Sequence, residues 1–182
     1  MYWPPFRYQR KSYDLTHLHP KTITYIQPAN EKEKKPAREY LVDVIFSLHC
    51  FTRGGESESP EPALFYSDDR ETRVFDFRRY ALSLKLPGII DQLMSRKCFH
   101  TGKDNFFTVE LADEAGNRVE YEIYFTLSMS STKGVLNLFI QSAYVRDPAY
   151  RPSRPKVKHW SSIRFGIILY NTLNNLPIKV PK

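Results

Sequence analysis

Between residues 118 and 129 apolar and polar side chains alternate: Val119, Tyr121, Ile123 and Phe125 interleave with Arg118, Glu120, Glu122 and Tyr124. A period of two puts neighbours on opposite faces of a pleated chain, so this stretch predicts a strand with one buried and one partly wet face. Two more apolar runs flank it, at residues 105–111 and 135–145. The segments between them, 113–117 and 130–134, carry the Asp, Asn, Ser and Gly that turns use. The three runs predict an antiparallel meander. Upstream, Glu39 to Thr52 is rich in β-branched and aromatic residues and predicts a strand. Thr22, Thr24 and Ile26 oppose Ile23 and Tyr25 in another extended stretch, and the polar loop from Pro28 to Pro36 joins the two into an opening β-hairpin.

The period changes after Phe75. Asp76 is placed as a helix N-cap, and Phe77, Tyr80, Ala81 and Leu84 recur at helical spacing until Pro87. Pro87 can itself open a second helix, whose apolar face is Ile89, Ile90, Leu93 and Met94 and whose end is marked by Arg96 and Lys97. Residues 76–97 therefore predict a helical hairpin. Near the end, Ile163, Phe165, Ile167 and Leu169 alternate and read as a last strand, with a short buried helix as the alternative. The fold class expected is α+β: a mainly antiparallel sheet with an N-terminal β-hairpin, a central helical hairpin and a three-stranded meander. A basic aromatic arm is expected at 1–13, one domain at 14–146, and a basic Pro-rich segment at 147–182 ending in a strand or short helix.

Composition narrows the class. Of 182 residues, 41% are hydrophobic and 14% aromatic, enough for a full core and too much for a disordered chain. The first residues lack the apolar stretch of a signal peptide, and no run nears the roughly 20 apolar residues that span a bilayer. Two cysteines make no disulfide framework, so a cytoplasmic location and no membrane partner are expected. Charge changes the picture more. Residues 1–38 hold eight basic and three acidic residues, 39–145 eleven and sixteen, and 146–182 eight and one. Basic ends on an acidic body suggest a polyanionic partner, with solubility as the competing explanation.

Candidate chemistry falls into four groups. His17, His19, His49, Cys50, Cys98 and His100 cluster in pairs that could supply zinc ligands, though no familiar finger spacing is present; core packing explains them better. Cys98 with His100 or His49 could form a nucleophile and base, but nothing in the sequence depresses the thiol. Asp68, Asp69, Glu71 and Asp76 could hold magnesium, but capping and solvation account for them. No cofactor is expected, since Gly54 and Gly55 precede no helix. The fourth group is the basic end. Arg146, Arg151, Arg154, Lys156 and Lys158, with Arg7 and Arg10 of the arm, could grip phosphates beside Tyr144, Tyr150 and Trp160 as stacking faces and His159 as a proton carrier.

The order strand, helical hairpin, meander, with a last strand that is apolar from Val135 and then bears Tyr144, Arg146, Tyr150 and Arg151, resembles the RelE/ParE superfamily of small bacterial toxins over residues 40–150. The resemblance implies a metal-independent ribonuclease, in which basic residues and a Tyr or His promote 2′-hydroxyl attack in ribosome-bound mRNA. It implies Tyr144, Arg146, Tyr150 and His159 as the active residues, with Arg118 as a further candidate. The first expectation is thus a nucleic-acid-binding protein with RNA as partner and this nuclease activity as its finer form. The alternatives are a non-catalytic interaction module that docks on a protein or pairs edge strands across a homodimer, and a zinc-stabilised domain.

Overall fold

In the computed structural model the chain is described at residues 2–32, 34, 36–55, 61–102, 105–114, 116–145 and 161–178. The first strands, β1 (Phe6–Tyr8) and β2 (Lys11–Tyr13), form a small hairpin. Then come β3 (Lys21–Gln27) and β4 (Arg38–Phe46), the predicted antiparallel hairpin. Strands β5 (Thr52–Arg53), β6 (Phe65–Ser67) and β7 (Thr72–Phe75) make a separate three-stranded sheet. Two short helices follow, α1 (Phe77–Ser83) and α2 (Leu86–Asp91). Strand β8 (Lys97–His100) leads into the meander β9 (Phe106–Glu114), β10 (Asn117–Met129) and β11 (Val135–Val145). The last described elements are β12 (Ser162–Arg164) and α3 (Phe165–Leu173). The expected α+β class is what the chain adopts.

The main sheet has seven strands in the order β12-β8-β9-β10-β11-β4-β3. Every pairing is antiparallel except β4 with β11, which run parallel with Val42 opposite Leu136 and Val44 opposite Leu138. A parallel pair needs a crossover, here supplied by everything from β5 to β10. Alternation decides the faces. Tyr25, Tyr40, Val42, Val44, Tyr121, Ile123, Leu136, Leu138 and Ile140 point inward, where they meet Leu86, Ile89 and Ile90 of α2 and Phe165, Ile168 and Leu169 of α3. Between Tyr124 and Phe125 the β11 partner jumps from Ser142 to Ile140, leaving Gln141 as an extra residue. Such a bulge sharpens the local bend and re-aims side chains.

Local sequence explains the helices. The Asp76 carboxylate accepts the Arg79 N–H at 2.9 Å, capping α1, and Pro87 sits in the first turn of α2. Three expectations need correction. The second helical segment ends in a 3₁₀ turn at Leu93–Ser95, and Lys97 already belongs to β8, because Cys98 to His100 pair with β9 inside the sheet, with β12 on the other side. The strand expected over Glu39 to Thr52 stops at Phe46, after which Leu48–Cys50 is a 3₁₀ turn capped by Ser47. The alternation read at Ile163 to Leu169 holds only for the three-residue β12. From Phe165 on, burial of Phe165, Gly166, Ile168 and Leu169 with Ile167 exposed is a helical pattern, and α3 forms.

Residues 2–13, within the segment expected as an arm, are folded onto the body. Trp3 is only 3% exposed and its indole N–H donates to the Phe46 carbonyl at 3.1 Å. Phe6 stacks on Phe75 with ring centroids 3.9 Å apart. The β1–β2 turn uses Gln9 and Arg10, both at positive φ (46° and 63°), where Asn and Gly are the favoured residues.

Candidate functional site

Of the nucleic-acid candidates, Arg7 and Arg10 lie exposed on the β1–β2 hairpin; of the aromatics beside them, Trp3 and Phe6 are core and offer no stacking face, Tyr8 is half-buried and Tyr2 is exposed. Tyr144 lies half-buried on β11, at the end of a ladder of rings on the outer face of the sheet. It stacks on Tyr124 (5.6 Å between centroids, 11° from parallel), Tyr124 on Phe107 (5.4 Å) and Phe107 on Phe99 (5.1 Å). The Arg79 guanidinium lies 5.1 Å from the Tyr144 ring and also donates to the His49 and Thr52 carbonyls. Beside the ladder Glu122 is buried and accepts the Tyr124 hydroxyl proton. Arg146, Tyr150, Arg151, Arg154, Lys156, Lys158 and His159 lie outside the described residues. Arg118 is exposed on β10.

The histidine and cysteine pairs do not converge. The 3₁₀ turn Thr16–Leu18 sends His17 to the Ser83 hydroxyl (2.8 Å), whereas the His19 ring N–H donates to the Trp3 carbonyl (3.1 Å). His100 is buried, with Nδ1 accepting the Gly102 N–H at 2.8 Å. No cluster of three or more metal-ligating side chains occurs among the described residues. Both cysteines are free and buried, and burial pushes each thiol up to about 12, which leaves Cys98 without thiolate character at neutral pH. Asp76 is spent on capping α1.

The structure does bring together residues drawn from separate candidate groups. His49, from the histidine and cysteine pairs, meets Glu71, from the acidic group: Nε2 to Oε1 is 2.6 Å. The other Glu71 oxygen accepts Arg73 at 3.3 Å, and Arg73 Nε donates to the Thr52 hydroxyl at 3.0 Å. The His49 hydrogen bond, reinforced by Arg73, holds the Glu71 carboxyl below the usual carboxylate range. Asp68 accepts the backbone N–H groups of Arg70 (2.8 Å) and Glu71 (2.9 Å), and despite partial desolvation its carboxyl is lowered by them.

Of these, His49, Asp68 and Glu71 line an open cleft of about 580 Å³. Asp68, Arg70 and Glu71, from the turn between β6 and β7, face Ile45, Phe46, Leu48 and Phe139, with Trp3 in the floor. Local folding puts them there. The Ser47 hydroxyl donates to the Gln141 carbonyl at 2.6 Å and the Ser47 N–H to the Ile140 carbonyl at 3.0 Å, tying the end of β4 to the β11 bulge. Gln141 and Ser142 thereby line the cleft, and Asn105 donates to the Gln141 side-chain oxygen at 2.8 Å. Nothing in the local sequence links positions 45–49, 68–71 and 139–142. Only the parallel pairing of β4 with β11 joins the outer two. The cleft combines an apolar wall with an exposed guanidinium, an imidazole fixed by a carboxylate, an amide and a hydroxyl.

A family model described as the YjaZ family matches residues 5–173. Protein YjaZ of Escherichia coli (strain K12) is 30% identical over 183 residues, covering 98% of this chain and 95% of the relative. No solved structure matches the chain. The chain belongs to the YjaZ family. That finding overturns the resemblance to RelE/ParE toxins, which rested on element order and a Tyr/Arg-bearing strand. The catalytic roles given to Tyr144, Arg146, Tyr150 and His159 lose the footing that the resemblance supplied.

Proposed function

We propose that this member of the YjaZ family is a nucleic-acid-binding protein whose ligand is single-stranded RNA. The observation that carries the reading is the segregation of charge. The body from 39 to 145 holds sixteen acidic residues against eleven basic, whereas 146–182 holds eight basic against one acidic. A polyanion is drawn to such ends, and each Lys or Arg on a phosphate releases counterions. Arg7 on β1 and Arg10 in the β1–β2 turn, where φ is positive, add exposed cations on this hairpin. Two free buried cysteines suit a reducing cytoplasm as its compartment. Among the described residues no helix is long and apolar enough to cross a membrane.

The test is fluorescence anisotropy of a labelled single-stranded RNA with the full chain and the double variant Arg146→Ala/Arg151→Ala. Weaker binding by the double variant supports the proposal, and unchanged affinity sinks it. A gel of the recovered RNA, run in the presence of EDTA, reads whether metal-independent cleavage accompanies binding.

A second reading, a protein-interaction module, draws on the outer sheet face. Ile26 is 60% exposed and Leu41 43% exposed, and β3, which carries Ile26, is an edge strand of the sheet among the described residues. It predicts a dimer or partner complex that Thr24→Pro on the β3 edge disrupts. Monomer-sized light scattering for the wild-type chain, with no partner retained on it, would count against it.

A further inference from the structure

We infer that the cleft between β4, the β6–β7 turn and the β11 bulge is a nucleotide subsite, in which the base lies on Phe139 and Ile45 and the phosphate meets Arg70 and His49; this rests on the nucleic-acid reading above.

The charges of the cleft select the ligand. Glu71 is engaged through both oxygens, by His49 and Arg73, and Asp68 through Oδ1, by two backbone N–H groups. The Arg70 guanidinium is exposed and makes no hydrogen bond among the described residues, so its donors are available. The His49 ring donates its Nε2–H to Glu71, so its Nδ1 is an acceptor in the neutral ring and donates to a phosphate in the imidazolium form. What the Arg70 guanidinium and an imidazolium His49 offer a ligand is donors, and an anion is their complement. The opposite wall is apolar and ends in Phe139, an aromatic ring 37% exposed on the outer face of the sheet. Every nucleobase has a face that stacks on such a ring. Between the two walls, Ser142 and the Gln141 amide are polar groups of the kind that read base edges. A simple apolar carboxylate would use both walls but leave the Ser142 hydroxyl and the Gln141 amide nitrogen between them unanswered. The volume, about 580 Å³, accommodates one nucleotide. The same chemistry comes from a free mononucleotide or from one residue of an RNA strand. The aromatic face that Trp3 and Phe6 withhold by packing into the core is supplied here by Phe139.

The experiment measures binding of a fluorescein-labelled octameric single-stranded RNA, and separately of adenosine 5′-monophosphate by calorimetry, to the full chain. The variants are Arg70→Ala, Phe139→Ser and, outside the cleft, Lys133→Ala, with thermal unfolding checked for each. Arg70→Ala and Phe139→Ser should each weaken RNA binding about tenfold, while Lys133→Ala changes it little. If RNA binds but neither cleft variant changes its affinity at unaltered melting temperature, the subsite is refuted and the nucleic-acid reading stands. If the mononucleotide binds in a cleft-dependent way and RNA does not bind, the subsite stands as a free-nucleotide site and the RNA reading falls. If neither probe binds at low salt, both are overturned.

Discussion

Trp3→Ala separates a folded N-terminus from a loose arm. Trp3 is 3% exposed, meets Phe51 edge-on at 5.4 Å and donates its indole N–H to the Phe46 carbonyl at 3.1 Å. A buried tryptophan hides about 200 Å² of largely apolar surface, which at about 25 cal/mol per Å² is about 5 kcal/mol as an upper bound. A realistic unfolded chain already hides part of this, roughly 10–40%. Removing the ring leaves about 3–4 kcal/mol, and orphaning the Phe46 carbonyl adds about 1 kcal/mol. The expected loss is therefore about 4–5 kcal/mol, at the upper end for truncation of large core aromatics. Urea unfolding followed by far-UV circular dichroism reads it, with Tyr2→Ala, at a position 73% exposed, as the control expected within about 0.5 kcal/mol of wild type. Should the Ala variant be too unstable to fit, Trp3→Phe keeps most of the area, loses the hydrogen bond and is expected to cost about 1–2 kcal/mol. A loss under about 1 kcal/mol for Trp3→Ala would refute the packing of residues 2–13 on the body.

Three further outcomes follow from the same contacts. Cys50 and Cys98, with thiols pushed up to about 12 by burial, should be silent to a thiol reagent in the native state and should both react in guanidinium; rapid native labelling would contradict their burial. Glu71 is held below its ordinary range chiefly by His49, so the stability it contributes is present above the unfolded-state value and is lost as pH falls through the folded-state one. Stability should therefore decline on the acid side, and Glu71→Gln should flatten that decline in unfolding measured from pH 6 to pH 3; an unchanged slope would show that the pair contributes nothing. The Tyr121 hydroxyl is buried without a hydrogen-bond partner among the described residues, so Tyr121→Phe should be neutral or raise stability by about 1 kcal/mol in urea unfolding, and a clear loss would reveal a partner.

What the sequence disclosed was what periodicity and turn chemistry encode. The alternation of Val119 to Phe125, the cap at Asp76 and the turn ending at Gly134, whose φ is +80°, each produced the element expected of it. The failures came where an isolated apolar run fits two periods. Ile163 to Leu169 reads as a strand until the burial of Ile168 and exposure of Ile167 settle the helical phase, and only tertiary packing sets that phase. The burial of Trp3 and Phe6 was equally hidden, because Pro4, Pro5 and the flanking cations look like an arm. The cleft was legible in pieces only. His49 and Glu71 stood in different candidate groups, and their meeting depends on the β5–β6–β7 sheet folding its turn back over the end of β4. Phe139 and Arg70 were missed, since an exposed ring on a strand and an arginine in a turn have no local pattern that marks them.

The salt dependence of RNA binding tests the central claim most directly. Anisotropy of a labelled single-stranded RNA should be followed with the full chain from low to physiological salt. The account predicts a linear fall of log K with log salt, steep enough for at least about four phosphate contacts at about 0.7 per contact, and a shallower slope once Arg146 and Arg151 are both alanine. Absence of binding at the lowest salt, or an affinity indifferent to salt, would contradict it.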